Sequence, residues 1–167
     1  MSDDLHQAIR ANNHFELFGL PVQYRLDRQV LSARYLDLTR ATHPDFAGTD
    51  AEAQLQAMEL SARVNEAHAV LNDDLRRAEY LLHLQGGSIG DKVSPDLLER
   101  IFEMREALSV ALSSGDKTRA ASIRAEAADW LVQVVSEAGM CLDSGNPGQK
   151  AQQLLSAARY VRKIAMG

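Results

Sequence analysis

The sequence predicts an all-α protein in two parts: an N-terminal helical hairpin with short flanking helices, and a C-terminal three-helix bundle. Three observations carry this. Apolar residues recur at helical rather than alternating spacing through most of the chain. Aromatic residues make up only 5%, while Ala, Leu, Gln, Glu and Arg are plentiful, a mixture that favours helices over sheets. Cap residues, prolines and glycines divide the periodic stretches into segments of helical length. With 167 residues, 46% apolar and 25% charged, the chain has room for one ordinary domain or two small ones around a packed core.

Residues 1–12 form a polar leader. In "NNHFELFGLP", Asn12 or Asn13 caps a short helix carrying Phe15, Leu17 and Phe18, which stops at Gly19 and Pro21. Asp27 caps the next helix, and Leu26 and Leu31 have the spacing of a hydrophobic staple. Leu31, Tyr35, Leu38 and Thr42 then share one narrow stripe, the buried face, with Arg40 opposite and Arg28 and Arg34 on its flanks. Pro44 disfavours helical geometry at His43, so this helix ends there. "TDAE" has the form of a capping box, Thr49 with Glu52, and opens a long helix through Leu71 whose apolar residues include Leu55, Met58 and Ala62. "NDD" at 72–74 breaks that helix and caps a shorter one, "LRRAEYLLHLQGG", which ends at Gly86 and Gly87.

"GGSIGDKV" is a Gly-rich joint and the candidate domain boundary, giving 13–87 as the first domain, 88–93 as linker and 94–167 as the second. Ser94 caps the first helix of the second domain, with Pro95 at its first position and Gly115 near its stop. Its core face is Leu97, Ile101, Met104 and Leu108. The second helix has Ile123, Ala127, Trp130 and Val134 at core spacing, and the third has Leu154, Ala158 and Val161. Short polar turns between them imply antiparallel neighbours. Trp130, Met140 and the remaining leucines read as core.

A net charge of −5 argues against a nucleic-acid protein, which needs a concentrated basic face. The single cysteine, Cys141, excludes an internal disulfide and a multi-thiolate metal site, and suits a reducing compartment. The acidic start has no apolar run of the secretory kind, and no stretch approaches membrane-spanning length. These features point to a soluble cytoplasmic protein. Phosphate loops, nucleophile elbows and zinc motifs are absent from the sequence. His14, His68 and His83 show no ligand spacing with His43, so no metal or cofactor is expected. A His/Asp pair can do acid–base work only in a cleft with further positioned groups, and a loop tip offers neither; the expectation is not an enzyme.

A His-Pro-Asp triplet alone is an ordinary helix stop. Here it stands in series with "FELFGLP", "LSARYLDLTRATHPD", "AHAVL" and "RRAEYLL", and this order and spacing resemble the J-domain family. Within it, the chain is most similar to the HscB branch, the J-type co-chaperones of bacterial iron–sulfur cluster assembly; "EMREAL" and "ARYVRKI" extend the resemblance to roughly residues 13–165. It implies that residues 13–87 are a J domain. It also implies that His43, Pro44 and Asp45 dock on a DnaK-type ATPase chaperone, HscA, and trigger its ATP hydrolysis, with Arg34 and Arg40 as steering charges. On charge pattern alone those arginines equally fit a solvated helix face. The docking reading is physically sound: Pro44 stiffens the loop, so less entropy is lost on binding, and Asp45 offers a carboxylate that an arginine can grip with two bonds. Two departures from the family pattern matter. Phe46 follows Asp45 directly, so the usual lysine is missing, and Thr42 replaces the common aromatic residue before the histidine.

Leu98 and Phe102, at i and i+4, lie to one side of the 97/101/104/108 core face, with Glu99, Glu103 and Glu106 on the same outer side. Helix geometry leaves two readings open: packing against another helix of the bundle, or a protein-docking patch. The resemblance favours docking, because the matching HscB face binds the iron–sulfur scaffold protein IscU. Leu98, Phe102, Glu103 and Glu106 match that face and Tyr160 matches an aromatic residue of the last helix, while Glu99 stands where methionine is common. The implied function is a non-enzymatic co-chaperone that brings IscU to HscA and promotes cluster transfer. The alternatives are a general J-type client carrier for DnaK, which would tend to carry Gly/Phe-rich or zinc-binding segments, and a helical adaptor with a degenerate J domain.

Overall fold

In the computed structural model, which describes residues 8, 10–42, 50–145 and 148–167, all regular structure among the described residues is helical. From His14 on, seven helices follow: α1 (His14–Leu17), α2 (Arg28–Ala41), α3 (Ala51–Asn72), α4 (Asp74–Leu84), α5 (Pro95–Ser113), α6 (Lys117–Asp143) and α7 (Gln149–Met166). The all-α expectation is met. Cα packing divides the chain into two compact units, Met1–Arg77 and Ala78–Gly167, so the division falls inside α4.

In the first unit α3 packs against both α1 and α2. Asn13 caps α1 by accepting from the Glu16 N–H, and the Glu16 carboxylate accepts in return from the Asn12 N–H at 2.9 Å. The cap satisfies one donor that the helix start leaves orphaned, and the carboxylate holds the residue before the cap. Phe15, Leu17 and Phe18 are all buried. Asp27 caps α2, accepting from the N–H groups of Gln29 and Val30. Leu31, Leu38 and Thr42 are buried as the stripe requires, and Tyr35 is half-buried. Its ring stacks on His68 of α3 at 4.0 Å between centroids, and its hydroxyl donates to Asn65 Oδ1 at 3.0 Å.

Three details of the sequence reading change. The start of α3 is capped by Asp50, whose carboxylate accepts from the Glu52 N–H. Glu52 is thus one position too early in the helix for the Thr49/Glu52 capping box, and Thr49 itself lies outside the described residues; a carboxylate caps at least as well as a hydroxyl. The buried face of α3 is Leu60, Val64, Ala67, Val70 and Leu71, whereas Leu55, Met58 and Ala62 face solvent. Met140 and Leu112, expected in the core, are exposed.

In the second unit α5, α6 and α7 pack on one another as a three-helix bundle, with α6 and α7 the most extensive pair. Ile101, Met104, Ala127, Trp130, Val134, Leu154, Ala158 and Val161 are buried, while Leu97 and Leu108 are half-buried. The last turns of α4 belong to the same unit: Ala78, Leu81 and Leu82 are buried. Three polar ties hold this segment to the bundle, Arg159 Nε to Glu79 at 2.7 Å, Gln85 Nε2 to the Leu142 carbonyl at 3.0 Å, and Ser156 Oγ to the Gly90 carbonyl. They explain why the packing division precedes the Gly-rich joint. At the end of α4, Gly86 adopts φ +78° and the Gly87 N–H returns to the Leu82 carbonyl. A Cβ on Gly87 would run into the Leu82 side chain, so both glycines are needed for this close turn.

Candidate protein-docking sites

The exposed side of α2 carries Arg34 and Arg40. Arg40 approaches Asp37 at 3.9 Å, both side chains being largely in water. An exposed pair at that separation contributes about 0–1 kcal/mol, so an incoming carboxylate can displace it at little cost. Leu36, not singled out by the sequence reading, is also exposed on this helix.

The helix is closed at Thr42, whose backbone N–H and hydroxyl both donate to the Leu38 carbonyl. A threonine suits this buried end because its hydroxyl finds a partner within its own helix. His43, Pro44 and Asp45 lie outside the described residues. In the chain they join a capped helix end, stapled to α3 through Tyr35, to the Asp50 cap of α3.

On α5, Leu98 is 37% exposed and Phe102 56% exposed, and Glu99, Glu103 and Glu106 are exposed beside them. Leu98, Phe102 and Glu106, spaced four residues apart, form one ridge along the helix; Glu103 lies about 100° round from Phe102. Ile101 and Met104 pack into the bundle while Leu98 and Phe102 stay at the surface. A phenylalanine more than half exposed beside carboxylates is suited to a partner with an apolar pocket and a basic rim. Arg100, between them, is held elsewhere, its guanidinium 4.2 Å from the Trp130 ring and 3.6 Å from Glu126. Tyr160 is exposed on α7, with Lys163 Nζ 5.9 Å from its ring centroid.

Among the described residues no group of three or more His, Cys, Asp or Glu is placed to hold a metal ion. His14 and His68 are each held below the usual imidazole pKa, chiefly by burial. His68 is occupied as the platform under Tyr35, with the Phe18 ring edge-on at 6.5 Å. No helix of the described residues is long and apolar enough to cross a membrane.

The residue the sequence reading missed altogether is Arg77. It is buried, its guanidinium donating to the carbonyls of Tyr24 (3.0 Å) and Leu71 (2.6 Å) and to the Asp74 carboxylate, while stacking 4.8 Å from the Tyr24 ring centroid. Burial and Asp74 push the Tyr24 hydroxyl above its ordinary pKa, with Arg77 opposing them. Asp74 also accepts from Arg28 at the start of α2, at 2.7 Å. Only "RRAEY" hinted at this, and the sequence alone does not say which arginine turns inward.

The first unit is a helical hairpin with a charged outer helix, and the second is a three-helix bundle with an exposed apolar–acidic ridge. The comparisons with known proteins identify the family. The chain is 33% identical over 159 residues to the co-chaperone protein HscB homolog of Burkholderia thailandensis, covering 92% of this chain and 90% of the relative. It is 35% identical over 163 residues to the HscB homolog of Vibrio cholerae, covering 91% and 88%. The solved structure of chaperone HscB from Vibrio cholerae superposes with a TM-score of 0.78 at 30% identity over 92% of this chain and 93% of that one. Human co-chaperone protein HscB has the same fold, with a TM-score of 0.82 at 24% identity over 93% and 79%. No protein-family model matches the chain. The chain belongs to the HscB family of co-chaperone proteins.

Proposed function

We propose that the chain is a non-enzymatic co-chaperone of iron–sulfur cluster assembly, which binds an IscU-type scaffold and delivers it to a DnaK-type chaperone, HscA, stimulating ATP hydrolysis there. Residues 13–87 act as the J domain, 88–93 as linker and 94–167 as the scaffold-binding bundle. Beyond family membership, the observation that carries this reading is the exposed Leu98/Phe102 ridge on α5, flanked by Glu103 and Glu106. Tyr160, exposed on α7, is assigned to the same scaffold-binding role. The chaperone side is His43, Pro44 and Asp45, with Arg34 and Arg40 steering the approach. The chain holds no cluster itself, because one cysteine cannot ligate one.

Steady-state ATP hydrolysis by HscA, with and without this protein and with IscU present, tests the whole proposal. Stimulation that rises further when scaffold is present is expected; a rate that ignores both additions refutes it. For the cargo face, Leu98→Ala with Phe102→Ala should weaken scaffold binding about tenfold or more in calorimetry, the range of central apolar anchors. Helicity should be unchanged, since both side chains are already exposed. Unchanged affinity with unchanged helicity would remove the ridge from the interface. Arg40→Ala should slow association with the chaperone and flatten its salt dependence, because a steering charge acts mainly on the encounter rate. An on-rate that does not respond reduces Arg40 to a solubilising residue.

A further inference from the structure

The outer face of α3 presents an apolar seam to solvent that the proposed function does not use. Leu55 is 57% and Met58 58% exposed, and Ala62 and Ala69 are exposed as well. At 3.6 residues per turn these four fall within about 60° of arc, on the side of α3 opposite its buried residues Leu60, Val64, Ala67 and Leu71. The helix is therefore apolar on two faces, and α1 and α2 account for only one. Two large side chains followed by two alanines leave a shallow channel along which a second helix backbone can approach closely. Along one flank of the seam run Glu52, Glu59 and Glu66, all exposed and spaced at seven-residue intervals, the arrangement of flanking charges in a two-helix interface.

From this juxtaposition we infer that the outer face of α3 is a docking site for an amphipathic helix of a partner protein with lysine or arginine beside its apolar seam. The charge decides the occupant. A second copy of this chain seated antiparallel would bring the same glutamate column against itself, and like charges across a helical seam are unfavourable. An anionic membrane surface is opposed for the same reason. A basic helix instead meets carboxylates along three successive heptads, with Leu55 and Met58 filling the spaces between its own apolar residues. None of its residues belongs to the α5 ridge or to the arginines of α2, and the inference does not rest on the chaperone and scaffold reading.

The probe is a designed three-heptad peptide with leucine along its seam and lysine on both flanks, paired with a control in which every lysine is glutamate. Titrated into the full chain and followed by fluorescence anisotropy, the lysine peptide should bind and weaken as salt is raised, and the glutamate peptide should bind at least about tenfold more weakly, a difference of roughly 1.4 kcal/mol. Leu55→Ser with Met58→Ser should lose the lysine peptide, and Glu59→Lys with Glu66→Lys should reverse the preference. All four positions are exposed, so circular dichroism should report an unchanged fold. Equal binding of the two peptides, or retention by the serine variant, overturns the inference. So does loss of binding in Leu98→Ala with Phe102→Ala instead. A sedimentation result showing a dimer that Leu55→Ser dissolves would assign the seam to a second copy and equally overturn it.

Discussion

His43→Gln should leave the chain folded and still bound to its scaffold while its stimulation of HscA falls by about tenfold or more, which is roughly 1.4 kcal/mol or more of lost activation. The separation of effects follows from the helix end that precedes residue 43 in the chain. Thr42 closes α2 with two bonds to the Leu38 carbonyl, and Tyr35 fixes the helix to α3 by a stack and a hydrogen bond. The contacts described for the hairpin core and for the α5 ridge are made by other residues, so His43→Gln removes none of them. What it removes is preorganisation. Pro44 biases its neighbour away from helical geometry, and imidazole is a flat group with two side-chain torsions. Glutamine adds a torsion and cannot carry a proton, so within the docked complex the loop reaches the triggering arrangement less often, a loss that added co-chaperone does not repair. The decisive comparison is steady-state ATP hydrolysis at saturating co-chaperone, which separates weaker docking from a weaker trigger. Equal maximal stimulation by the two proteins would remove His43 from the trigger.

The order of helices, most caps and the core stripes of α2, α5, α6 and α7 were legible because each is a local signal. A carboxylate or amide side chain before an apolar run, or an apolar residue every third or fourth position, has a single cheap solution in a helix. Failures came where tertiary context decides. Leu55 and Met58 on α3 are as hydrophobic as Leu60 and Val64, and composition cannot tell which of two apolar faces meets α2. Met140 sits on a long helix rich in apolar positions, more than the bundle can bury, so some stay in water. Likewise, the glycines at 86 and 87 marked the end of α4 correctly. The hold that Glu79, Gln85 and Gly90 have on the bundle depends on residues from Leu142 to Arg159 that no local pattern links to them. Leu98 and Phe102 were singled out by spacing, but only burial distinguished an exposed ridge from a packing face.

Arg77→Leu is the substitution on which the first unit's stability depends most. Arg77 is 5% exposed and supplies donors in three directions, to two main-chain carbonyls and one carboxylate, over the face of Tyr24. Leucine fills part of the volume and satisfies none of them. The carbonyls of Tyr24 and Leu71 lose charge-assisted bonds, and Asp74 keeps its bond to Arg28. Removing one partner of a buried, hydrogen-bonded charge pair costs about 3–5 kcal/mol, but Asp74 is 46% exposed and water can replace part of the loss, so about 2–4 kcal/mol is expected. Arg77→Lys should recover only part of this, because an ammonium cannot reproduce the planar fork that spans the three acceptors. Arg76→Leu is the matched control. Its side chain is exposed and its contact with the Ala69 carbonyl, at 3.5 Å, is too long to matter much, so it should change stability by no more than about 0.5 kcal/mol. Urea unfolding gives the size of the effect, and hydrogen exchange at the amides of α2 and α3 gives its location. If Arg77→Leu unfolds within about 0.5 kcal/mol of the parent, the guanidinium is a packing element and its three bonds contribute no net stability.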